Sequence, residues 1–144
     1  MNAPGPETGP GRLYPTPSRW VMLRRGLMRA CPVCGRRGLF RWGLAMVEDC
    51  PRCHLHFERI EGHWLGAVGM NTIVTFALMA VVLGSSLYVA YPEFPMVPLL
   101  SLNIAVAVAV PLLFHPSSRT LWTAVDIMMR PLEPHEVDWA EVRP

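Results

Sequence analysis

Residues 31–53, CPVCGRRGLFRWGLAMVEDCPRC, decide the fold, because they carry two Cys-x-x-Cys pairs separated by the fifteen residues 35–49. This is the spacing of a four-thiolate zinc site. Two cysteines three positions apart on a tight turn can both point at one ion, and a second such turn completes a tetrahedron. The predicted ligands are the four cysteines of the chain: Cys31, Cys34, Cys50 and Cys53.

Zinc is the expected metal, and iron is the alternative. Rubredoxin-type iron sites also use paired Cys-x-x-Cys loops, but their spacer is much longer. A thioredoxin-like redox motif is disfavoured, because such a motif occurs once and within a βαβ pattern. Strand-like content in 39–42, 44–47 and 55–58 predicts a small β head within residues 19–61. That head is too small for a core of its own, so metal binding should supply most of its folding energy.

Two long segments carry no Asp, Glu, Arg or Lys, and each contains one histidine. They cover residues 62–92 and 94–118, and each exceeds the roughly 20 residues that cross a bilayer core. The sequence therefore predicts a transmembrane hairpin in 62–114, with spans of about 66–90 and 97–114. Its external turn is rich in proline. By depth, Asn103 is expected to contact Ser85 and Ser86 across the two spans.

The basic residues give the orientation. All 13 are arginines; ten precede residue 60 and three follow residue 115. Because an excess of arginine in short flanking segments marks the cytoplasmic side, we expect a multi-pass protein of the cell membrane with both termini in the cytoplasm. Cysteines there stay reduced, which favours metal over disulfide.

The flanking segments complete the predicted domain organisation. Residues 1–18, rich in proline and glycine, are expected to be a disordered tail. In the basic arm that opens the head, Trp20, Leu23 and Leu27 would share one helix face, either in contact with lipid or on a solvated arm. Residues 115–132 are predicted to form a short interfacial amphipathic helix, with simple continuation of the second span as the alternative.

Two further expectations concern the acidic residues near the carboxyl end. Asp126, the one acid in the predicted interfacial helix, should face water or Arg130. The segment 133–144 reads as an acidic, disordered tail.

The whole pattern resembles the bacterial domain-of-unknown-function family 983, small proteins with a zinc-ribbon-like head and a two-helix membrane anchor. The residues that carry the resemblance lie between about 19 and 135: Arg25-Gly26-Leu27, Cys31-Pro32-Val33-Cys34-Gly35, Gly38-Leu39-Phe40, Cys50-Pro51-Arg52-Cys53, Glu61-Gly62-His63, Leu121-Trp122-Thr123-Ala124 and Arg130-Pro131-Leu132. The resemblance implies a metal-binding membrane protein and no particular activity.

The chain departs from the family pattern at two histidines. His54 stands where glycine commonly follows the second cysteine pair, and His63 stands where an acidic residue is frequent. Together with His56, Glu58 and Glu61, these histidines raise the alternative of a second, more exposed metal site. The simpler interpretation is that they are surface or interfacial side chains.

These observations favour a structural role over an enzymatic one. The chain has no nucleophile-elbow, P-loop or zinc-protease motif, and a closed four-thiolate ion has no open position for water. The first hypothesis is an adaptor or assembly factor that sits in the lipid bilayer and engages another membrane protein complex. The alternatives are membrane-tethered nucleic-acid binding, which is disfavoured because the positive-inside rule already explains the arginines, and metal or redox handling through the four thiolates.

Overall fold

The computed structural model describes residues 16–41, 44–59, 61–140 and 142. The elements along these ranges are α1 (Arg19–Leu27), β1 (Phe40–Arg41), β2 (Ala45–Met46), α2 (His63–Ala90) and α3 (Met96–Met129). The predicted disordered tail 1–18 falls outside the described residues except for 16–18.

The head contains the predicted β hairpin, with strands of only two residues each. Strands β1 and β2 pair antiparallel, with Phe40 opposite Met46 and Arg41 opposite Ala45. The third strand-like segment, 55–58, contributes one isolated bridge between His56 and Asp49. The head is therefore built mostly from turns, as expected for a segment with few residues to bury.

Helices α2 and α3 form the predicted hairpin, and both are long and apolar enough to cross a membrane. Their large apolar side chains point outwards: Val81 is 66% exposed, Val97 80% and Leu113 69%. The amide of Asn71 donates to the carbonyl oxygen of Pro111 over 3.1 Å and links the two helices near one end.

The predicted contact of Asn103 with Ser85 and Ser86 is not the one these residues make. The Asn103 amide donates to the carbonyl oxygen of Leu99, and the Ser85 hydroxyl donates to that of Val82. The Asn103 amide and the Ser85 hydroxyl are thus bonded within their own helices, the local bonding that short polar side chains favour in a helix.

Helix α3 has no break at residue 115. It runs for 34 residues through Pro111 and Pro116, so the prediction of a separate helix over 115–132 is wrong, and continuation of the second span describes the chain. Proline in a helix leaves nearby carbonyls short of donors. The carbonyls four residues before each proline are those of Ala107 and Leu112. Side chains of neighbouring segments bond two other carbonyls in this part of the helix: Asn71 donates to the Pro111 carbonyl oxygen, and Arg29 donates to the Leu113 carbonyl oxygen over 3.0 Å.

Helix α1 packs against the last four turns of α3 through a face other than the one that carries Trp20 and Leu27, and these two side chains stay exposed, as both the lipid-contact and the solvated-arm alternatives expect. Met22 and Gly26 are buried, whereas Trp20 is 82% exposed and Leu27 53%. The cause is Gly26, where an added Cβ would come within 2.9 Å of the Leu121 Cα. Glycine at this position lets the two helix backbones approach closely, so the contact face follows the small residue rather than the large apolar ones.

The core lies where the head, α1, the end of α3 and the carboxyl-terminal segment meet. Val137 and Val142 are 5% and 6% exposed in this core, and the Asp138 amide donates to the Cys53 carbonyl oxygen over 2.9 Å. The described residues of the predicted acidic tail, 133–140 and 142, are thus packed against the head. The prediction of disorder is wrong for them, because the apolar residues among the acids have a surface to cover.

Candidate metal centre

The two cysteine pairs occupy turns of the same construction. In each turn, the carbonyl oxygen of the first cysteine accepts from the amide four residues later, Gly35 to Cys31 over 2.9 Å and His54 to Cys50 over 3.0 Å. These two donors have φ values of +75° and +54°. His54 therefore adopts the left-handed conformation that glycine adopts in the first turn, which is unusual for a residue with a side chain.

The turns bring all four predicted cysteines together. Their sulfurs lie within 4.8 Å of one another, and every cysteine is buried. The distances between turns are 3.7 Å from Cys31 Sγ to Cys53 Sγ and 3.6 Å from Cys34 Sγ to Cys50 Sγ. In a tetrahedron with Zn–S bonds of about 2.3 Å, the sulfurs lie about 3.8 Å apart. The observed spacing fits one metal ion and is far too long for a disulfide of about 2.05 Å.

Hydrogen bonds among the sulfurs divide the thiols into two kinds. The hydrogen bonds of Cys31 with the other three sulfurs, together with burial, raise the pKa of its thiol. Those with the other three sulfurs lower the pKa of Cys50, because neighbouring thiols donate to its thiolate. Metal binding releases the protons of its ligands, so these shared protons are the ones a cation would replace. The donor set fits zinc, and it fits iron as well.

Residues outside the motif hold the two turns in place. The Arg25 guanidinium on α1 donates to the Val33 carbonyl oxygen over 2.6 Å, and the Asp138 amide binds the Cys53 carbonyl oxygen from the carboxyl-terminal side. Each knuckle is thus fixed from a different part of the chain. Arg25 belongs to the Arg-Gly-Leu motif of the resemblance, while nothing in the sequence signals the role of Asp138.

The histidines do not assemble into a second site. His56 Nδ1 lies 2.7 Å from Asp49 Oδ1, Glu58 pairs with Arg119 over 2.9 Å, and the His63 ring lies 6.3 Å from that of Trp122. Among the described residues, the cysteines form the one group of three or more metal-ligand side chains that come together. The simpler interpretation of the histidines therefore agrees with the geometry.

A buried ion-pair cluster joins the head to α3 and to the carboxyl-terminal segment. Arg59 Nε and Nη2 bind both oxygens of Glu136 over 2.7 and 2.8 Å, and Nη1 lies 3.2 Å from Asp126 Oδ2. The Arg59 and Asp126 side chains are only 10% and 5% exposed. The expectation that Asp126 faces water or Arg130 is wrong, because its partner comes from a segment 67 residues away in the chain.

Within the cluster, the pairing of Arg59 with Glu136 favours the charged state of both groups. Burial alone lowers the pKa of Arg59, but hydrogen bonds and charge from Glu136 outweigh burial and raise it. Burial likewise opposes ionisation of Glu136, yet its hydrogen bond with Arg59 lowers its pKa from 4.5. Because the folded-state pKa of Glu136 is lowered, this pair stabilises the fold fully above pH 4.5, and the stabilisation is lost as the pH falls through the lowered value.

Comparison with protein-family models, with curated proteins and with solved structures finds no match to this chain. The site therefore rests on its own geometry, four buried sulfurs at tetrahedral spacing in a core that includes Ala124 and Ile127 of α3.

Proposed function

We propose that the chain is a zinc-binding membrane protein whose metal folds a cytoplasmic head onto the inner end of a helical hairpin. The observation that carries this proposal is the spacing of the four sulfurs, 3.6 and 3.7 Å between turns, which fits tetrahedral zinc. With four protein thiolates the ion has no open position, so its role is structural rather than catalytic. Iron is the alternative occupant.

The proposal places α2 and the first part of α3 in a bilayer. At 1.5 Å per residue the 34 residues of α3 extend over about 51 Å, whereas a hydrocarbon core is about 30 Å thick. Its residues up to Leu113 match that thickness, and the remaining turns protrude beyond it as a stalk. We define the stalk as residues 114–129. The arginine distribution places the stalk and head in the cytoplasm.

The role we propose is that of an adaptor or assembly factor that engages another membrane protein complex. Its support is the closed metal site, the small head and the resemblance to the domain-of-unknown-function family 983, in which no activity is implied. The head offers a firm platform, because α1, the metal turns and the carboxyl-terminal segment share one core.

Metal analysis of the purified full chain tests the first part of the proposal. We expect one zinc per chain, a colourless sample and loss of the metal in Cys50→Ser. The matched control is His56→Ala, which alters an exposed histidine of the same turn region and should keep the metal. Visible absorbance with stoichiometric iron would replace zinc by iron, and absence of bound metal in the wild type would refute the site.

Crosslinking followed by pull-down from native membranes tests the adaptor role. We expect a defined set of membrane proteins that is captured with the wild type and lost with Cys50→Ser, because the head is then unfolded. A wild-type chain that migrates alone in mild detergent would contradict the role. Salt-sensitive retention of nucleic acid by the wild type would favour the alternative of membrane-tethered nucleic-acid binding.

A further inference from the structure

Arg29 stands at a position where helices usually place glycine. After α1, the Arg29 amide donates to the Gly26 carbonyl oxygen over 3.1 Å and the Ala30 amide to that of Arg25 over 2.9 Å. These two bonds define a Schellman motif with Arg29 at its left-handed C′ residue, and its φ is +59°. A side chain in this conformation costs on the order of 1 kcal/mol relative to glycine. Because the backbone conformation is unfavourable for arginine, we expect the side chain to make contacts that glycine could not make.

The side chain of Arg29 reaches α3 at the end of its apolar part. Nη2 donates to the Leu113 carbonyl oxygen over 3.0 Å, and Nε donates to Ser117 Oγ over 3.4 Å. Nη1 has no hydrogen-bond partner among the described residues, and no carboxylate in that part of the chain pairs with the guanidinium. The charge is thus fixed in position and left without an anion.

The surroundings of this charge resemble a bilayer boundary. Leu112 and Leu113 are 60% and 69% exposed, and the two residues that precede Arg29 in the chain, Leu27 and Met28, are 53% and 52% exposed. A cation held beside exposed leucines, at the level where an apolar helix run ends, lies at the depth of lipid phosphate groups.

We propose that Arg29 binds the phosphate of an anionic phospholipid of the cytoplasmic leaflet, with Leu27 and Met28 in contact with its upper acyl chain. This inference rests on the proposed membrane insertion. A guanidinium presents parallel N–H donors that fit phosphate oxygens, and Nη1 supplies the donors that α3 leaves free. Because no described carboxylate pairs with the Arg29 guanidinium, its positive charge favours an anionic lipid.

The test counts phospholipids on the full chain. Wild type, Arg29→Gly, Arg29→Gln and Arg24→Gln are reconstituted in nanodiscs containing phosphatidylglycerol and phosphatidylcholine. They are then released into mild detergent for native mass spectrometry. We expect one phosphatidylglycerol retained by the wild type, with about tenfold less in both Arg29 variants and little change in Arg24→Gln, which removes the same charge from an exposed position of α1.

Arg29→Gly separates lipid binding from a packing role. Glycine relieves the left-handed backbone, and this gain offsets the loss of the two side-chain hydrogen bonds to α3, so the variant should melt close to the wild-type temperature and keep its metal while losing the lipid. A lowered melting temperature with unchanged phosphatidylglycerol would show that Arg29 serves only to pin α1 on α3. Equal loss in Arg24→Gln would show a diffuse charge effect instead of a site, and both outcomes overturn the inference.

Two further experiments identify the source of the phosphate and test membrane insertion separately from lipid binding. Excess inorganic phosphate should leave the retained lipid unchanged; displacement by it would show a free-phosphate site and overturn the lipid assignment. Alkaline carbonate extraction of wild-type membranes tests insertion separately. If the chain stays in the membrane with its metal while Arg29→Gly retains as much lipid as wild type, this inference fails and the proposed function stands.

Discussion

The two parts of α3 differ in which side chains are exposed and which are buried. From Met96 to Leu113 the large apolar side chains are exposed, with Val97 at 80% and Leu100 at 64%. In the stalk, the buried positions include small and polar residues, such as Ser118, Thr120 and Asp126 at 1%, 0% and 3%. One part of the helix therefore exposes apolar side chains and the other packs against the rest of the protein, and the boundary between them lies near Pro116.

The difference shows what stabilises each part. The first part has an apolar surface that only a bilayer or another apolar partner satisfies. The stalk is satisfied by the protein itself: Gly26 of α1 meets its backbone on one side, and Gly66 of α2 lies against Trp122 on another. The stalk should therefore depend on the head, whereas the first part should not.

Loss of the metal should break this comparison most strongly. Structural zinc contributes an apparent free energy of about 10–16 kcal/mol to the folding of small metal domains, so Cys50→Ser should unfold the head. By hydrogen exchange in detergent, amides of 31–57 and of the stalk should lose protection, while those of 71–110 keep theirs. His56→Ala should leave both regions protected. Equal loss of protection along the whole of α3 would contradict the division.

The buried ion pair should show the next largest effect. Asp126→Asn leaves Arg59 with Glu136 and the Arg130 carbonyl oxygen but removes the carboxylate that lies on Nη1, at a cost of about 2 kcal/mol in unfolding free energy. Asn103→Leu, in the part with exposed apolar residues, removes a bond within one helix and should change stability by no more than about 0.6 kcal/mol. Denaturant unfolding in detergent compares the two, and similar losses would refute the distinction.

The sequence predicted the parts of the molecule that depend on local chemistry. Cysteine spacing located the metal turns, the β hairpin was found from strand-like residues, and charge-free length located both long helices. It predicted these because a tight turn or an apolar run is encoded within about 20 neighbouring residues.

The remaining features depend on residues distant in the chain. The partner of Asp126 is Arg59, and Val137 belongs to the same core as the four cysteines. Composition suggested disorder for that end and a separate interfacial helix over residues 115–132, because neither pattern reveals which surface is available to pack against. The contact of Gly26 with Leu121 depends in the same way on a distant segment, and it is visible only in three dimensions.

Gly66→Ala should weaken the attachment of the stalk to α2. A methyl group at Gly66 would overlap the indole ring of Trp122, whose other neighbour is the His63 ring, and overpacking of this kind costs about 1–3 kcal/mol. Gly69→Ala provides the matched control, since nothing lies within 4 Å of its added Cβ. Thermal unfolding followed by tryptophan fluorescence should separate the two variants. Equal midpoints would show that the indole has room to move.

The smallest expected effect compares the two metal turns with each other. His54 adopts at φ +54° the conformation that Gly35 adopts at +75°, so His54→Gly should relieve strain and raise the unfolding free energy by up to about 1 kcal/mol. The gain is limited because glycine also increases the entropy of the unfolded chain. Gly35→Ala should act in the opposite direction, because its Cβ would lie 3.1 Å from Arg25 Nε in a strained backbone. Chelator competition reports both changes as shifts in metal affinity. If His54→Gly lowers the metal affinity as much as Gly35→Ala does, the histidine side chain stabilises its turn. The two turns are then equivalent only in their backbones.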